Sequence, residues 1–265
     1  MQYGLDKLEQ IKNNLRNKDL FLFLDYDGTL APIASTPEKA VFSEETRGIL
    51  RQLIQKSNCK LAIISGRQLS DIKQKIGLEN IIYSGNHGLE IQGPKLKHKA
   101  NLQLLYIKAL MKIKNLLITK LAEVEGVIIE DKGISLCVHY RLVKKEDISR
   151  VKIIFHETII NYLVNGLIMI KPGKRAIDIR PATWMNKGKV VMWLLARERF
   201  RKQGYPLLPI YIGDDLTDED AFIALKDIGI TIRVGKNKDS QAQYYFRNTN
   251  EVKIFLKMIL IVLNK

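Results

Sequence analysis

The hydrophobic pattern in the first part of the chain alternates between short apolar runs and amphipathic stretches. Apolar runs at residues 21–24, 60–64 and 81–83 each lead into a polar, glycine-containing segment. Such runs are typical of buried strands in a parallel sheet. The amphipathic stretches predict helices over residues 4–17, from Ser43 onward and over residues 70–76. This order predicts a doubly wound α/β sheet with right-handed crossovers.

The middle of the chain follows a different order. Two long helical patterns, at residues 101–122 and 145–164, are each followed by a pair of short apolar runs. This α-β-β-α-β-β order predicts an α+β module with an antiparallel sheet. Its strands are predicted at residues 127–129, 134–140, 167–170 and 176–179, with turns at Lys132-Gly133 and Pro172-Gly173.

The first pattern then resumes, so the middle module is predicted to be an insertion. The later elements are a helix over 186–202, a strand over 207–212, a helix over 218–225, a strand over 231–234 and a helix from Glu251. We therefore expect a core domain formed by residues 1–98 and 183–265, with an inserted α+β domain over residues 99–182.

The charge of the chain bears on the class of ligand that it binds, and its cysteine content bears on the compartment in which it works. The 265 residues include 43 Lys and Arg against 28 Asp and Glu, and the pI is about 9.6. The lysines are scattered and no nucleic-acid-binding motif is present, which favours anionic small substrates or a lysine-rich source proteome over nucleic acid. Only Cys59 and Cys137 occur, without a C-x-x-C motif, which indicates a reducing compartment.

Targeting signals are not found in the sequence. Residues 1–7 lack the apolar core of a signal peptide, and the apolar run at 258–263 is too short to span a bilayer. The sequence therefore predicts a cytoplasmic protein with no membrane partner.

The first predicted strand ends in Asp25-Tyr26-Asp27-Gly28-Thr29. Ligands of open α/β sheets bind at the carboxyl ends of the strands, so both carboxylates should project into a crevice. A carboxylate there can attack phosphorus while its neighbour transfers protons. A calcium loop or an Asx turn is the alternative, which the apolar strand directly before the motif disfavours.

Other predicted strand and helix tips carry matching groups. Ser65 follows the second strand, Lys187 begins a helix, and Asp214 opens an acidic run after the fourth strand. Magnesium requires hard oxygen ligands, while a hydroxyl and an ammonium neutralise charge on a transferring phosphoryl group. The pattern therefore indicates magnesium-dependent phosphoryl transfer.

Taken together, these segments resemble the trehalose-6-phosphate phosphatases of the haloacid dehalogenase superfamily. The segments that carry the resemblance are Asp25-Tyr26-Asp27-Gly28-Thr29-Leu30-Ala31-Pro32-Ile33, Ile64-Ser65-Gly66-Arg67, Gly85-Asn86-His87-Gly88-Leu89-Glu90, Ile179-Arg180-Pro181, Asn186-Lys187-Gly188 and Gly213-Asp214-Asp215-Leu216-Thr217-Asp218-Glu219-Asp220-Ala221-Phe222. The resemblance implies a haloacid-dehalogenase-like core with an inserted α+β cap. It also implies hydrolysis of trehalose 6-phosphate and functional pairing with a separate trehalose-phosphate synthase.

The resemblance assigns the core residues. It implies that Asp25 is the nucleophile and Asp27 the general acid and base. Magnesium would be held by Asp25, the main-chain carbonyl of Asp27, and Asp214, while Asp215 or Asp218 supports them. Lys187 and Ser65 would bind the phosphoryl oxygens.

Substrate contacts implied by the resemblance extend into the inserted domain. They are Ser65, Gly66, Arg67, Asn86, His87, Glu130, Lys132, Arg141, Lys174 and Asp178. The family commonly has a glutamate where this chain has Asp178, so the reach of that carboxylate is shorter. For several of these residues, a role without substrate contact stays open. Asn86-His87-Gly88 would then be a tight turn, Arg67 a surface residue at a helix start, and Lys132 and Lys174 solvated lysines.

The same motifs are also compatible with other functions. A related phosphatase could act on mannosyl-3-phosphoglycerate or sucrose 6-phosphate, and a phosphosugar mutase could use the same D-x-D motif. A non-enzymatic sensor of trehalose phosphate would not need both Asp25 and Asp27.

Overall fold

The computed structural model describes residues 1–34, 40–182, 185–202 and 206–264. Backbone packing divides the chain into two compact units. The core unit comprises Met1–Lys99 with Met185–Lys265, and the inserted unit comprises Ala100–Trp184. The inserted unit therefore interrupts the core unit in sequence.

The first part of the core unit alternates strands and helices. Ser43 Oγ accepts a hydrogen bond from Thr46 N at 3.2 Å, so a helix begins at the predicted position. The strands are β1 (Gln2–Tyr3), β2 (Asp19–Leu24), β3 (Cys59–Ile64), β4 (Ile82–Gly85), β5 (Glu90–Gly93) and β6 (Leu96–Lys99). The helices are α1 (Leu8–Leu15), α2 (Glu44–Ile54) and α3 (Leu69–Ile76), with 3₁₀ turns at Leu5–Lys7 and Asn86–Gly88.

The inserted unit has the predicted α-β-β-α-β-β order. Its elements are α4 (Leu104–Lys120), β7 (Ile128–Asp131), β8 (Leu136–His139), α5 (Ile148–Val164), β9 (Ile168–Gly173) and β10 (Ala176–Pro181). The strands form an antiparallel sheet in the order β7-β8-β10-β9 within the described residues. Leu136, Val138, Ile177 and Ile179 pack in the apolar core of this unit, so Glu130, Cys137 and Asp178 lie on the opposite, polar face.

The last part of the chain completes the core unit. Its elements are α6 (Lys187–Lys202), β11 (Leu207–Gly213), a 3₁₀ turn (Leu216–Asp218), α7 (Glu219–Leu225), β12 (Ile230–Val234), β13 (Tyr244–Phe246) and α8 (Thr249–Leu263). Among the residues that the structure describes, every helix falls short of the length and apolarity needed to span a bilayer.

One sheet organises the core unit. Across the described ranges its order is β1-β13-β12-β11-β2-β3-β4-β5-β6. In this spatial order, every pair of neighbouring strands from β1 through to β4 is parallel. Side chains of α1, α2, α3 and α8 pack with one face, including Leu22. Side chains of α6 and α7 pack with the other face, including Phe23. The prediction of a doubly wound α/β core with an inserted α+β module is confirmed.

One local prediction was wrong, and one pair of strands was not predicted. Strands β5 and β6 form an antiparallel hairpin at the sheet edge, which the hydrophobic pattern does not reveal because each strand is only four residues long and partly polar. The turn expected at Pro172-Gly173 lies instead at Lys174-Arg175, with Arg175 at φ 64°. Pro172 remains within β9 because β9 is an edge strand, where a missing N–H is tolerated.

Candidate active site

Asp25 follows the carboxyl end of β2, between β3 and β11. Its N–H donates to Ile212 O at 2.9 Å, which continues the strand pairing, and its side chain is buried. The loop then turns sharply at Gly28, whose φ is +80°. A Cβ at Gly28 would overlap the carboxylate of Asp214, so glycine permits the loop to approach Asp214 closely.

Lys187, at the first position of α6, joins two parts of this site. Its Nζ lies 2.9 Å from Asp25 Oδ1 and 2.7 Å from Asp218 Oδ1, and the side chain is buried. The structure thus brings together Asp25 and Lys187, as the sequence predicted.

Asp218 holds more of the site together than the sequence indicated. Its Oδ1 also accepts from Tyr211 Oη at 2.6 Å, and its Oδ2 accepts from the N–H groups of Asp214 and Asp215 at 3.0 and 2.9 Å. Asp215 instead caps the following 3₁₀ turn, where its Oδ1 accepts from Leu216 N at 2.7 Å. Sequence reasoning did not separate the two acids and missed Tyr211, which resembles an ordinary strand residue.

The electrostatics of the cluster are dominated by buried carboxylates. Burial raises the pKa of Asp25 well above its usual range, the charges of Asp218 and Asp214 raise it further, and Lys187 opposes the rise. Burial would lower the pKa of Lys187, but the two carboxylates beside it raise that pKa instead. Excess negative charge therefore surrounds Asp25.

This excess charge suits a divalent cation. Asp25, Asp214 and Asp218 each offer a carboxylate oxygen, and these oxygens lie within 4.8 Å of one another. Three carboxylates form a donor set of the kind that hard cations prefer. The residues present could therefore hold a metal ion.

Asp27 has a separate partner. Arg67 Nε and Nη2 donate to its two carboxylate oxygens at 2.7 and 2.6 Å, a bidentate arrangement. Arg67 also donates to Asp71 at 2.9 Å and lies over the ring of Tyr26. Arg67 is thus a buried partner of Asp27 and not a solvated surface residue. The carboxylate of Asp27 is directed to Arg67, so only its main-chain carbonyl remains as the predicted metal ligand.

The Ser65 and His87 loops are tied together. Asn86 N donates to Arg67 O at 2.7 Å, and His87 N donates to Ser65 O at 3.1 Å. Asn86 and His87 both adopt left-handed φ angles, 49° and 56°, a conformation that costs energy in non-glycine residues and is common at functional sites. A side chain at Gly66 would overlap the imidazole of His87. The structure therefore groups the predicted substrate residues of the core unit around one loop pair.

The polar face of the inserted sheet groups three predicted substrate residues. Lys132 Nζ lies 3.2 Å from Asp178 Oδ1 and 3.8 Å from Glu130 Oε2, and Lys132 is buried. Burial alone would raise the pKa of Glu130, but the hydrogen bond from His139 and the charge of Lys132 outweigh it and lower the pKa. Lys132 is therefore part of a buried polar cluster and not a solvated lysine.

Arg141 and Lys174 lie at the turn end of the same sheet. Both are exposed, and Arg141 Nη2 donates to Lys174 O at 2.8 Å. Arg180 was not predicted as a site residue, yet its Nη2 donates to Asp178 Oδ2 at 3.0 Å and the side chain is buried. The only sequence signal for this contact is the spacing of Arg180 and Asp178, which are two positions apart on β10 and therefore lie on the same face of the strand.

Comparisons with known proteins agree with one another. The family described as trehalose-phosphatase matches residues 23–251. Trehalose-phosphate phosphatase B of Arabidopsis thaliana is 30% identical over 97% of this chain and 70% of its own. Probable trehalose-phosphate phosphatase 2 of Oryza sativa subsp. japonica is 34% identical over 97% of this chain and 72% of its own.

Solved structures show the same likeness. The C-terminal domain of C. albicans trehalose-6-phosphate phosphatase matches with a TM-score of 0.82 at 25% identity, covering 96% of this chain and 97% of that domain. The C-terminal domain of the Candida albicans trehalose synthase regulatory protein shares the fold, with a TM-score of 0.70 at 16% identity over 94% and 97% of the two chains. The resemblance that the motifs indicate is confirmed, and the chain belongs to the trehalose-phosphatase family.

Proposed function

We propose that this protein is an enzyme that hydrolyses trehalose 6-phosphate to trehalose and phosphate through an aspartyl-phosphate, with magnesium as its cofactor. The observation that carries the proposal is the position of Asp25. Its buried carboxylate lies at the tip of a central strand, 2.9 Å from the ammonium of Lys187. Family membership supports the sugar phosphate as substrate.

The first half of the reaction is assigned to the two aspartates of the β2 loop. A carboxylate oxygen of Asp25 attacks phosphorus, and the bond between phosphorus and the sugar oxygen breaks. Asp27 is ionised while both its oxygens accept from Arg67, so it is proposed to take up a proton from solvent as substrate binds and to give that proton to the departing sugar oxygen. Arg67 orients Asp27 through two hydrogen bonds of 2.7 and 2.6 Å.

The second half releases phosphate. Asp27 takes a proton from a water whose oxygen attacks phosphorus, and the bond between phosphorus and Asp25 breaks. Lys187 and the hydroxyl of Ser65 are proposed to hold phosphoryl oxygens during both steps, because donors aimed at developing negative charge stabilise the transition state. Asn86, His87 and Gly66 are proposed to shape the surrounding loop.

Magnesium is proposed to be held by Asp25, Asp214 and the main-chain carbonyl of Asp27. When bound, the ion neutralises charge on the phosphoryl group. The raised pKa of Asp25, caused by burial and by the neighbouring carboxylates, supports a need for positive charge at this point. Asp218 fixes the backbone of Asp214 and the ammonium of Lys187.

Sugar recognition is assigned to the polar face of the inserted sheet, so that the inserted unit serves as a cap. Carboxylate oxygens of Glu130 and Asp178 can accept hydrogen bonds from sugar hydroxyls, and Lys132 can donate to them. Their mutual contacts of 3.2 and 3.8 Å through Lys132 support action as one group. Arg141 and Lys174 are proposed as contacts at the rim of the same sheet.

A cytoplasmic location and pairing with a separate synthase complete the proposal. Cys59 and Cys137 are both free thiols, which suits a reducing compartment. The substrate must be supplied by an enzyme that joins two glucose units with a phosphate retained. Fractionation of the source cells and co-purification with their trehalose-phosphate synthase would test the two statements.

The decisive experiment is phosphate release from a panel of sugar phosphates, with magnesium and then with EDTA, using wild type and Asp25→Asn. We expect metal-dependent release, strongest from trehalose 6-phosphate and lost in the variant. Equal activity on every sugar phosphate would overturn the substrate assignment. Transfer of phosphate between positions of one sugar would indicate a mutase, and binding without turnover would indicate a sensor.

A further inference from the structure

The polar face of the inserted sheet carries a second group of possible metal ligands. Glu130 on β7 lies directly opposite Cys137 on β8, and His139 lies two positions further along β8, on the same face. One ligand atom from each residue lies within 4.8 Å of the others. His139 Nε2 and Glu130 Oε2 lie 2.7 Å apart. Three different donor types therefore converge on one point.

The chemistry of this group differs from that of the core unit. A thiolate and an imidazole are ligands of zinc-class cations, whereas the carboxylates of Asp25 and Asp214 suit a hard cation. We infer that the inserted unit binds a thiophilic divalent cation, of which Zn²⁺ is the type, through Glu130, Cys137 and His139. A tetrahedral ion with these three ligands keeps its fourth position for water.

The surroundings of the cluster allow an ion to enter. The side chains of His139 and Glu130 are 21% and 27% exposed, so the ion reaches the site from their side, while Cys137 is buried behind them. Lys132 lies closer to Asp178, at 3.2 Å, than to Glu130, at 3.8 Å. Lys132 therefore keeps its carboxylate partner when Glu130 turns to a cation.

Binding replaces one hydrogen bond and one S–H bond. The hydrogen bond between His139 and Glu130 gives way to a bond from each residue to the ion. The thiol of Cys137 loses its proton to solvent, and the sulfur lone pair forms the bond to the cation. The ion adds a charge of +2 and the thiolate −1, a net gain of +1, which the ammonium of Lys132 opposes and the carboxylate of Asp178 favours.

A consequence for turnover rests on the proposed function. If Glu130 contacts the sugar, an ion on Glu130 removes that contact and weakens substrate binding. The chemical step at Asp25 is left as it was. Zinc is therefore expected to raise KM for trehalose 6-phosphate more than it lowers kcat.

Binding is tested first, without substrate, by titration with Co²⁺ in excess Mg²⁺, which competes for the carboxylates of the core unit. We expect the charge-transfer absorption of a cobalt–thiolate bond in wild type and in Cys59→Ser, the matched cysteine control. Cys137→Ser should lose the band. His139→Gln removes one of the three ligands and should weaken binding by at least about 10-fold, since loss of a group that only supports a ligand already costs that much, while the exposed-histidine control His156→Gln should not.

Two outcomes overturn the inference: no thiolate band in wild type, or a band that survives in Cys137→Ser. If Cys137→Ser fails to fold by circular dichroism, His139→Gln decides, because its thiol is intact. Displacement of Co²⁺ by Zn²⁺, followed as loss of the band, extends the result to zinc, and failure of displacement would contradict it.

Steady-state kinetics then test the consequence. Zinc should raise KM in wild type, and the zinc concentration needed should rise about tenfold or more in His139→Gln. If zinc leaves KM unchanged while cobalt still binds, the predicted effect on turnover is wrong. The metal site itself would still stand. Absence of turnover on trehalose 6-phosphate would instead refute the proposed function, since the cobalt titration does not depend on it.

Discussion

Asp218 is the side chain on which the carboxylate cluster depends most. Its two oxygens accept from Lys187, Tyr211 and two backbone N–H groups, and it is fully buried. Such a network is stable only while every member has a partner. Loss of one carboxylate therefore affects residues from α6, β11 and the following loop at once.

We predict that Asp218→Ala lowers the free energy of unfolding by about 3–5 kcal/mol, because Tyr211 Oη and two backbone N–H groups then lose their buried acceptor at about 1–3 kcal/mol each. Asp215→Ala, the matched control, removes only a cap and should cost about 0.5–2 kcal/mol. Urea unfolding of both variants without magnesium measures the difference. Equal losses in the two variants would show that the contacts of Asp218 do not carry the stability assigned to them.

The bidentate contact between Arg67 and Asp27 fixes the orientation of the proposed acid. Lysine at this position keeps the charge but cannot make two parallel hydrogen bonds. We predict that Arg67→Lys lowers kcat by about 10²-fold, the scale expected when a reacting group is misplaced, with a smaller effect on KM. Arg51→Lys, an exposed arginine on α2, serves as the control. A normal kcat in Arg67→Lys would remove the positioning function.

The sequence predicted the residues that the structure places together at strand and helix ends, and missed those whose contacts depend on side-chain direction. Asp25, Asp27 and Lys187 could be found because a carboxylate or lysine at such a tip is unusual. Tyr211 could not, because a tyrosine in an apolar strand is ordinary, and its contact with Asp218 exists only after folding.

At the scale of elements, Glu45 joins the N-terminal and C-terminal parts of the core unit. It accepts hydrogen bonds from Lys253 at 2.7 Å and Lys257 at 2.5 Å, and so connects α2 with α8. These two hydrogen bonds lower the pKa of Glu45 from 4.5 to about 2. The contact lies at the surface, so salt screens it.

The lowered pKa sets the sign of a pH effect. A carboxyl with a depressed folded-state pKa contributes stability that is present above its unfolded value and lost as pH falls toward the folded value. We predict that Glu45→Gln reduces the loss of Tm between about pH 4.5 and about pH 2. Glu44→Gln, whose partner Arg47 lies in the same helix, is the control.

Thermal unfolding across this pH range measures the effect at low salt and at about 1 M salt, where the screening length is about 3 Å. The difference between wild type and Glu45→Gln should shrink at high salt. If the Tm values of wild type and Glu45→Gln fall equally with decreasing pH at low salt, the assignment of acid sensitivity to Glu45 is wrong.

Element prediction succeeded where the pattern was long and consistent. Strands β2, β3 and β11 are buried on both faces, so each is encoded by a nearly continuous run of apolar residues. The hairpin of β5 and β6 was missed because both strands are short, and residues Lys97, His98 and Lys99 of the edge strand β6 are exposed.

At the scale of the whole molecule, the two units have separate apolar cores. The core of the inserted unit includes Phe155, Ile159 and Ile179 and draws on no described residue outside that unit. Burial of one continuous core is what allows a segment to fold alone. We therefore predict that a fragment of residues 100–184 unfolds cooperatively.

Phe155→Ala tests this prediction within the fragment. It should cost about 3–5 kcal/mol, enough to unfold a small domain, because it leaves a cavity in the core. Ile153→Ala is the control, since Ile153 is 58% exposed on the same helix, and should change stability by about 0.5 kcal/mol or less. Calorimetry and circular dichroism of the fragments measure both. A fragment without a cooperative transition would show that the inserted unit needs the core unit to fold.

Magnesium binding should stabilise the core unit and leave the inserted unit unchanged. A ligand that binds only the folded state adds RT ln(1 + [L]/Kd), about 2.7 kcal/mol at 100 times Kd, and for a protein of this size about 5–10 °C in Tm. We predict that Mg²⁺ raises the Tm of the full chain by this amount, because the ion offsets the cost of burying the Asp25 carboxylate beside Asp218 and Asp214, which raises its pKa. Asp214→Asn should lose most of the increase, and the isolated fragment of residues 100–184 should show none, since Asp25, Asp214 and Asp218 all lie in the core unit. Calorimetry with Mg²⁺ and with EDTA gives the comparison, with KCl at matched ionic strength as the control. An equal increase in the fragment, or an undiminished increase in Asp214→Asn, would place the stabilising ion elsewhere.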